Sequence, residues 1–281
     1  MKESFRFTLA RLRGQVLGWS IAMLLLSLAS IPFYDGIVDL AETLDQFLQS
    51  FPPELMALFG NFSMASYVTP EGYLGLQYFD LMAILILGIF AILIGSGLIA
   101  SDEENGRLDL ILAHPVSRTA LIAGRLSAFV AATLGILVLS WLGIVVPMEF
   151  TSMDLTWGEV ALPFLSLFAE LMLFGTMALL LSMLLPSRRA AASAAGFVLI
   201  ASYVLVALAR MPSVGDAVKN AARLSPLTYY QSGEAIEGLN LGWFLGLLAL
   251  SAVLAALSGW LFQRRDIRVG GEGGWRLSLT R

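Results

Sequence analysis

Six apolar runs, each close to the length that crosses a lipid bilayer, leave this chain few folds to choose from. They lie near residues 16–33, 80–100, 124–147, 162–185, 190–209 and 242–262. About 20 helical residues traverse the roughly 30 Å hydrocarbon layer, and a helix satisfies its own backbone groups where no water can. The expectation is an all-α integral membrane protein with six transmembrane helices in a single domain over 1–281. Composition agrees: 58% of residues are hydrophobic and only 14% charged, with mean hydropathy +0.80, against about 45–50% and 25% in soluble domains.

Between the runs lie an outer loop at 34–79, a charged stretch at 101–123, a short loop at 148–161, the turn Pro186-Ser187-Arg188-Arg189, a second long outer loop at 210–241, and a tail from Gln263. Residues 4–14 place Phe5, Leu9, Leu12 and Val16 on one helical face flanked by Lys2, Arg6 and Arg13. That pattern suits an interfacial helix ahead of the first span. A signal peptide would share the basic start, but the run to Phe33 is long for one and no Ala-x-Ala site closes it, so a retained span is expected.

Charge sets the orientation. With the N-terminus inside, fourteen of the seventeen Lys and Arg fall on inner segments, leaving Arg210, Lys219 and Arg223 outside. The first outer loop holds Asp35, Asp39, Glu42, Asp45, Glu54 and Glu71 with no Lys or Arg. The positive-inside rule therefore puts both termini and residues 101–123 in the cytoplasm of a multi-pass cell-membrane protein.

Little chemistry is available to the chain alone. It has no cysteine and one histidine, so Cys-based and multi-His metal sites cannot be built, and no metal is expected. Its two lysines, Lys2 and Lys219, lie outside any Gly-x-x-x-x-Gly-Lys pattern, so no ATP-binding P-loop exists. No Gly-x-Ser-x-Gly elbow occurs, His114 stands beside a proline in the charged stretch, and no aspartate is expected inside a span. A net charge of −4 with segregated signs gives no case for nucleic acid.

The charged stretch, SDEENGRLDLILAHPVSRTALIAGR, carries the most specific signal. Ser101 followed by Glu104 forms a capping-box pattern, and Asp102, Glu103 and Glu104 would place negative charge at a helix N-terminus. Leu108, Ile111 and Leu112 give an apolar stripe, and Pro115 ends the helix after about three turns. A second helix should begin near Val116 to Arg118.

These acidic residues, Gly106, the leucine-rich turn, Pro115, Ser117 and Arg118 resemble the permease subunits of type-2 ATP-binding-cassette (ABC) exporters. The resemblance implies that the loop between spans 2 and 3 is a cytoplasmic coupling helix seated on a separate ATP-binding subunit. Glu103, Glu104, Gly106, Leu108, Asp109, Leu112, Pro115 and Arg118 would take that role. The family commonly has Thr where this chain has Arg107. The N-terminal segment would be the family's elbow helix. The segment Leu224 to Tyr230 with Gly233-Glu234-Ala235 resembles the short outer helices before its last span. ATP and Mg would sit on the partner, with none in this chain, and a second permease, identical or related, would complete the transporter. Lipids, drugs, peptides and glycans are all compatible cargo.

Within the membrane, Glu170 is the one acidic residue expected at depth, in the outer half of the fourth span. It would line a translocation route or hydrogen-bond a neighbouring span. Gly88, Ala91, Gly95 and Gly97 on the second span, and Ala190, Ala191, Ala194, Ala195 and Gly196 on the fifth, mark close helix contacts, either packing within one subunit or a seam between two. An ion-coupled secondary transporter or a non-transporting membrane scaffold would share the span count. The former usually shows broken midplane helices or repeats, and the latter gives no reason for the charged stretch.

Overall fold

The computed structural model describes residues 1–49, 67–114, 116–211 and 214–264. The expected amphipathic stretch around Pro52-Pro53, Pro115, and the basic tail beyond Arg264 lie outside the described residues. Among those described, twelve α-helices and no strand occur: α1 (Lys2–Ser30), α2 (Tyr34–Asp39), α3 (Ala41–Gln49), α4 (Pro70–Leu74), α5 (Ile84–Gly97), α6 (Ala100–Glu104), α7 (Leu108–Leu112), α8 (Arg118–Met148), α9 (Trp157–Leu184), α10 (Arg188–Ala209), α11 (Asp216–Ala222) and α12 (Leu241–Arg264). A π-helical segment, Gly75–Ala83, joins α4 to α5.

Among the described residues, six helices are long and apolar enough to cross a membrane: Lys2–Asp39, Pro70–Gly97, Arg118–Met148, Trp157–Leu184, Arg188–Ala209 and Leu241–Arg264. Their ends follow local chemistry. Ser117 and Ser187 each accept the backbone N–H three residues on, starting α8 and α10. A capping box at Thr156 and Glu159 starts α9. Pro186 forces Leu185 into an extended conformation, φ −91° and ψ 157°, and α9 stops there.

The segment expected as a separate elbow is instead the opening turns of α1, which runs unbroken from Lys2 to Ser30. It holds no proline, and Gly14 and Gly18 face open space rather than a bend, so nothing interrupts the helix. Its first turns pack on α8, where Ser4 Oγ donates to the Leu121 carbonyl at 3.2 Å.

Helix α9 is the hub. It packs against α5, α8, α10 and α12, and it is the most buried of the six spans. Where α5 crosses it the backbones touch: a Cβ on Gly95 would lie 2.0 Å from the Gly175 carbonyl oxygen. That approach needs glycine at position 95, while a Cβ on Gly175 would meet the Phe129 ring of α8 at 2.3 Å. By contrast α10 and α12 sit at the rim and expose Phe197, Ile200, Val204, Leu245, Val253 and Leu257. So much exposed apolar surface is incompatible with water and suits lipid.

The helices divide the molecule into two ends. Around the N-terminus, α6, α7, the α9–α10 turn and the C-terminus of α12 gather ten of the thirteen described Lys and Arg. This is the basic end. The opposite, acidic end is tied together by Asp35, which accepts both the N–H and the hydroxyl of Ser152 at 2.9 and 2.6 Å.

Candidate functional site

Residues 100–118 form the projection at the basic end, built differently from its sequence expectation. The helix expected from Ser101 to Pro115 is two short helices, α6 and α7, parted at Gly106. Gly106 adopts φ +64°, a left-handed conformation that suits glycine and ends α6. Ser101 does not cap a helix. Its hydroxyl accepts from Arg11 Nη2 at 2.9 Å, because the acidic cluster turns into the protein rather than along a helix start.

Asp102 explains that turn. Its carboxylate is 2% exposed and bridges two guanidiniums, Arg11 Nη1 at 2.7 Å on Oδ1 and Arg125 Nη2 at 2.7 Å on Oδ2. Arg125 also donates to the Leu98 carbonyl. Three elements, α1, α6 and α8, therefore meet at one carboxylate. A buried ion pair gains little net free energy, but stranding one partner costs several kcal/mol, so the three helices are held in one arrangement. The sequence reading passed over this triad. Its signal was Arg125 at the edge of an apolar run, where an arginine needs a partner.

Two more ties run outward. Glu104 Oε1 accepts the Arg188 main-chain N–H at 2.6 Å, joining α6 to the first turn of α10. Arg118 Nη1 donates to the Phe262 carbonyl at 2.9 Å, at the end of α12. Glu103 is buried and Asp109 exposed, while Leu112 is half-buried. The anticipated apolar stripe faces inward, with Leu108 only 1% exposed. The outward face carries Arg107, Asp109, Leu110, Ala113 and His114, and Leu110 is 69% exposed. At about 100° per residue, Leu110 sits some 200° round from Leu108. Once Leu108 is committed to the core, Leu110 must face out.

Glu170 stands apart, toward the acidic end. It is 0% exposed, and neither carboxylate oxygen has a hydrogen-bond partner. A turn at 229–236 closes over this region. Tyr230 Oη donates to the Phe79 carbonyl at 3.1 Å, the Gln231 N–H donates to Ser166 Oγ at 2.8 Å, and Ser232 donates to Asp80. Gly233 meets Gly75 so closely that a Cβ on it would lie 2.7 Å from Gly75 Cα. Burial, with the acidic Asp80 and Glu170 near, pushes the Tyr230 phenol well above its ordinary pKa and keeps it neutral. Asp80 corrects the expectation of aspartate-free spans: it lies within the Pro70–Gly97 helix, which starts ten residues earlier than the apolar run suggested.

A family model for the ABC-2 family transporter protein matches residues 10–267. The chain belongs to the ABC-2 transporter family. No curated protein matches it in sequence. As an ABC-2 family member it is a permease subunit of an ABC transporter, a multi-pass membrane subunit that is not itself catalytic, and subunits of this kind generally pair with ATP-binding subunits. The ABC-2 match covers all six spans and the whole projection at 100–118 apart from the first turns of α1.

Proposed function

We propose that this permease docks a separate ATP-binding subunit through the projection at its basic end and couples ATP hydrolysis there to export. The observation that supports the reading is the bracing of the projection. Asp102, Glu104 and Arg118 tie the α6–α8 region to α1, α8, α10 and α12. A displacement imposed on α7 would therefore reach most of the bundle as a rigid-body movement. The basic end is cytoplasmic in this reading, by the distribution of Lys and Arg. ATP and Mg belong to the partner, and a second permease, identical or related, completes the transporter.

Among the expected coupling residues, Asp109 and Gly106 stay on the contact face, joined by Leu110. Leu108, Leu112 and Glu103 support it from within, while Glu104 and Arg118 transmit. Glu170 belongs to the route: it becomes accessible when the 229–236 turn lifts from α9, and an unpaired carboxylate there would receive a cationic or hydrogen-bonding group of the cargo.

The test is purification of the full-length chain from its native membrane in mild detergent, with and without Leu110→Asp. A stoichiometric P-loop ATPase should accompany the native chain and be lost with the variant, which should still elute as a monodisperse species. Retention of the ATPase by Leu110→Asp, or a native chain that emerges without one while other complexes survive, would refute the docking assignment.

A further inference from the structure

At the basic end a cavity of about 80 Å³ opens between α1, α5 and the first turn of α10. Its polar lining is Thr8, Arg11, Gln15, Ser101, Asp102, Arg125 and Arg188, and Phe7, Leu12, Leu93, Ile94 and Leu98 form its apolar wall. Three guanidiniums and one carboxylate thus line the cavity, and even with Glu104 beside the Arg188 main chain the positive charge is in excess. Asp102 is shared by Arg11 and Arg125. Arg188 has its main-chain N–H on Glu104 and one side-chain N–H on the Leu93 carbonyl at 3.1 Å. Neither contact neutralises its guanidinium within the cavity.

We infer that this cavity is a binding site for a phosphate group, and that the phosphate is the headgroup of an anionic membrane lipid. Guanidinium pairs phosphate bidentately and loses less hydration than an ammonium would. The volume admits several waters or one tetrahedral oxyanion. The wall supports the lipid source: next to the charges, Phe7 lines the cavity and stands 62% exposed, where an acyl chain would lie. Basic pockets between spans at the cytoplasmic surface take such headgroups. A lipid bound here would touch α1, α5 and α10 together, and with them the ties that hold α6.

The experiment reads retained lipid rather than transport, so it is independent of ATPase docking. The full-length chain, with whatever partners it carries, is exchanged into equimolar phosphatidylglycerol and phosphatidylcholine, stripped of bulk lipid, and its bound lipid is measured by native mass spectrometry. The native chain should favour phosphatidylglycerol by about tenfold, the scale of one charge-assisted pair. Gln15→Glu introduces a negative charge at an exposed residue outside the ion-pair network and should abolish that preference. Arg188→Gln should do the same, whereas Arg189→Gln, one residue on and not lining the cavity, should keep it. If inorganic phosphate alone raises the unfolding temperature of the native chain but not of Gln15→Glu in pure phosphatidylcholine, the phosphate site stands and its source is the free anion. Absence of both lipid preference and phosphate response in the native chain, or responses unchanged by Gln15→Glu and Arg188→Gln, would overturn the site.

Discussion

Glu104 and Arg188 are 84 positions apart, yet the carboxylate of one accepts the main-chain N–H of the other at 2.6 Å. The acid thus supplies a second cap to α10, beside the one Ser187 provides, at the positive end of that helix's dipole. The α9–α10 turn cannot move far from α6 without breaking the bond.

Glu104→Ala should therefore lower stability only modestly, by about 1 kcal/mol, the usual cost of a lost cap, while disconnecting α10 from the projection. The chain has no cysteine, so spin labels can be placed at will. With labels at Arg189 and Phe150, ATP added to the ATPase complex should change the separation in the native background and change it less in Glu104→Ala, although the ATPase remains bound. Equal distance changes in both would show that the bond carries no movement. Glu104→Gln keeps an acceptor and should behave nearly as the native chain.

The Asp102 triad should be far costlier to break. Asp102→Asn strands the Arg125 guanidinium, whose side chain is only 4% exposed, and removal of one partner from a buried pair costs about 3–5 kcal/mol. Thermal unfolding in detergent should fall accordingly, and adding Arg125→Met to Asp102→Asn should recover part of the loss. A double variant no more stable than the single one would mean that packing rather than charge holds α6 in place.

Two glycine substitutions separate contact from conformation. Gly95→Ala puts a methyl group against the Gly175 backbone, which cannot yield as a side chain would, so the variant should lose about 1–3 kcal/mol or misassemble. Gly196→Ala meets nothing within 4 Å and should be neutral or slightly stabilising, given the better helix propensity of alanine. Paired thermal-shift measurements decide; equal effects would show that the α5–α9 crossing is looser than its geometry.

Glu170→Gln removes a carboxylate that has no partner while keeping its volume. Stability should hold or rise, and export of a cation-bearing cargo should drop if the acid receives it. Full export by a well-folded Glu170→Gln would confine the residue to a packing role.

The helical layout was legible in the sequence because lipid imposes one length and one backbone solution on every span. What escaped was pairing at a distance. Ser101 and Glu104 fit a local capping pattern, yet Arg11, 90 residues upstream of Ser101, claims the hydroxyl, and Arg188 claims the acid through its backbone. A buried triad outweighs a surface cap, and no window of neighbouring residues contains both halves of it. Similarly, Leu108 and Leu110 are indistinguishable by composition; only contact with the core decides which is buried. Asp80 stands at the edge of the apolar run near 80–100, where charge and apolar length disagree, and the structure places it inside a span with Ser232 and the more distant Arg210, 3.9 Å away, as partners.

The contact between Gly95 and Gly175 has a mechanical consequence. It fixes a point on α9 about 14 Å from the helix end at Leu184 and about 27 Å from the start at Trp157, at 1.5 Å per residue. Tilting α9 about that point moves its acidic end roughly twice as far as its basic end, and in the opposite sense. A small push at the short arm becomes a swing about twice as wide at Trp157, while Glu170, close to the pivot, moves less than either end.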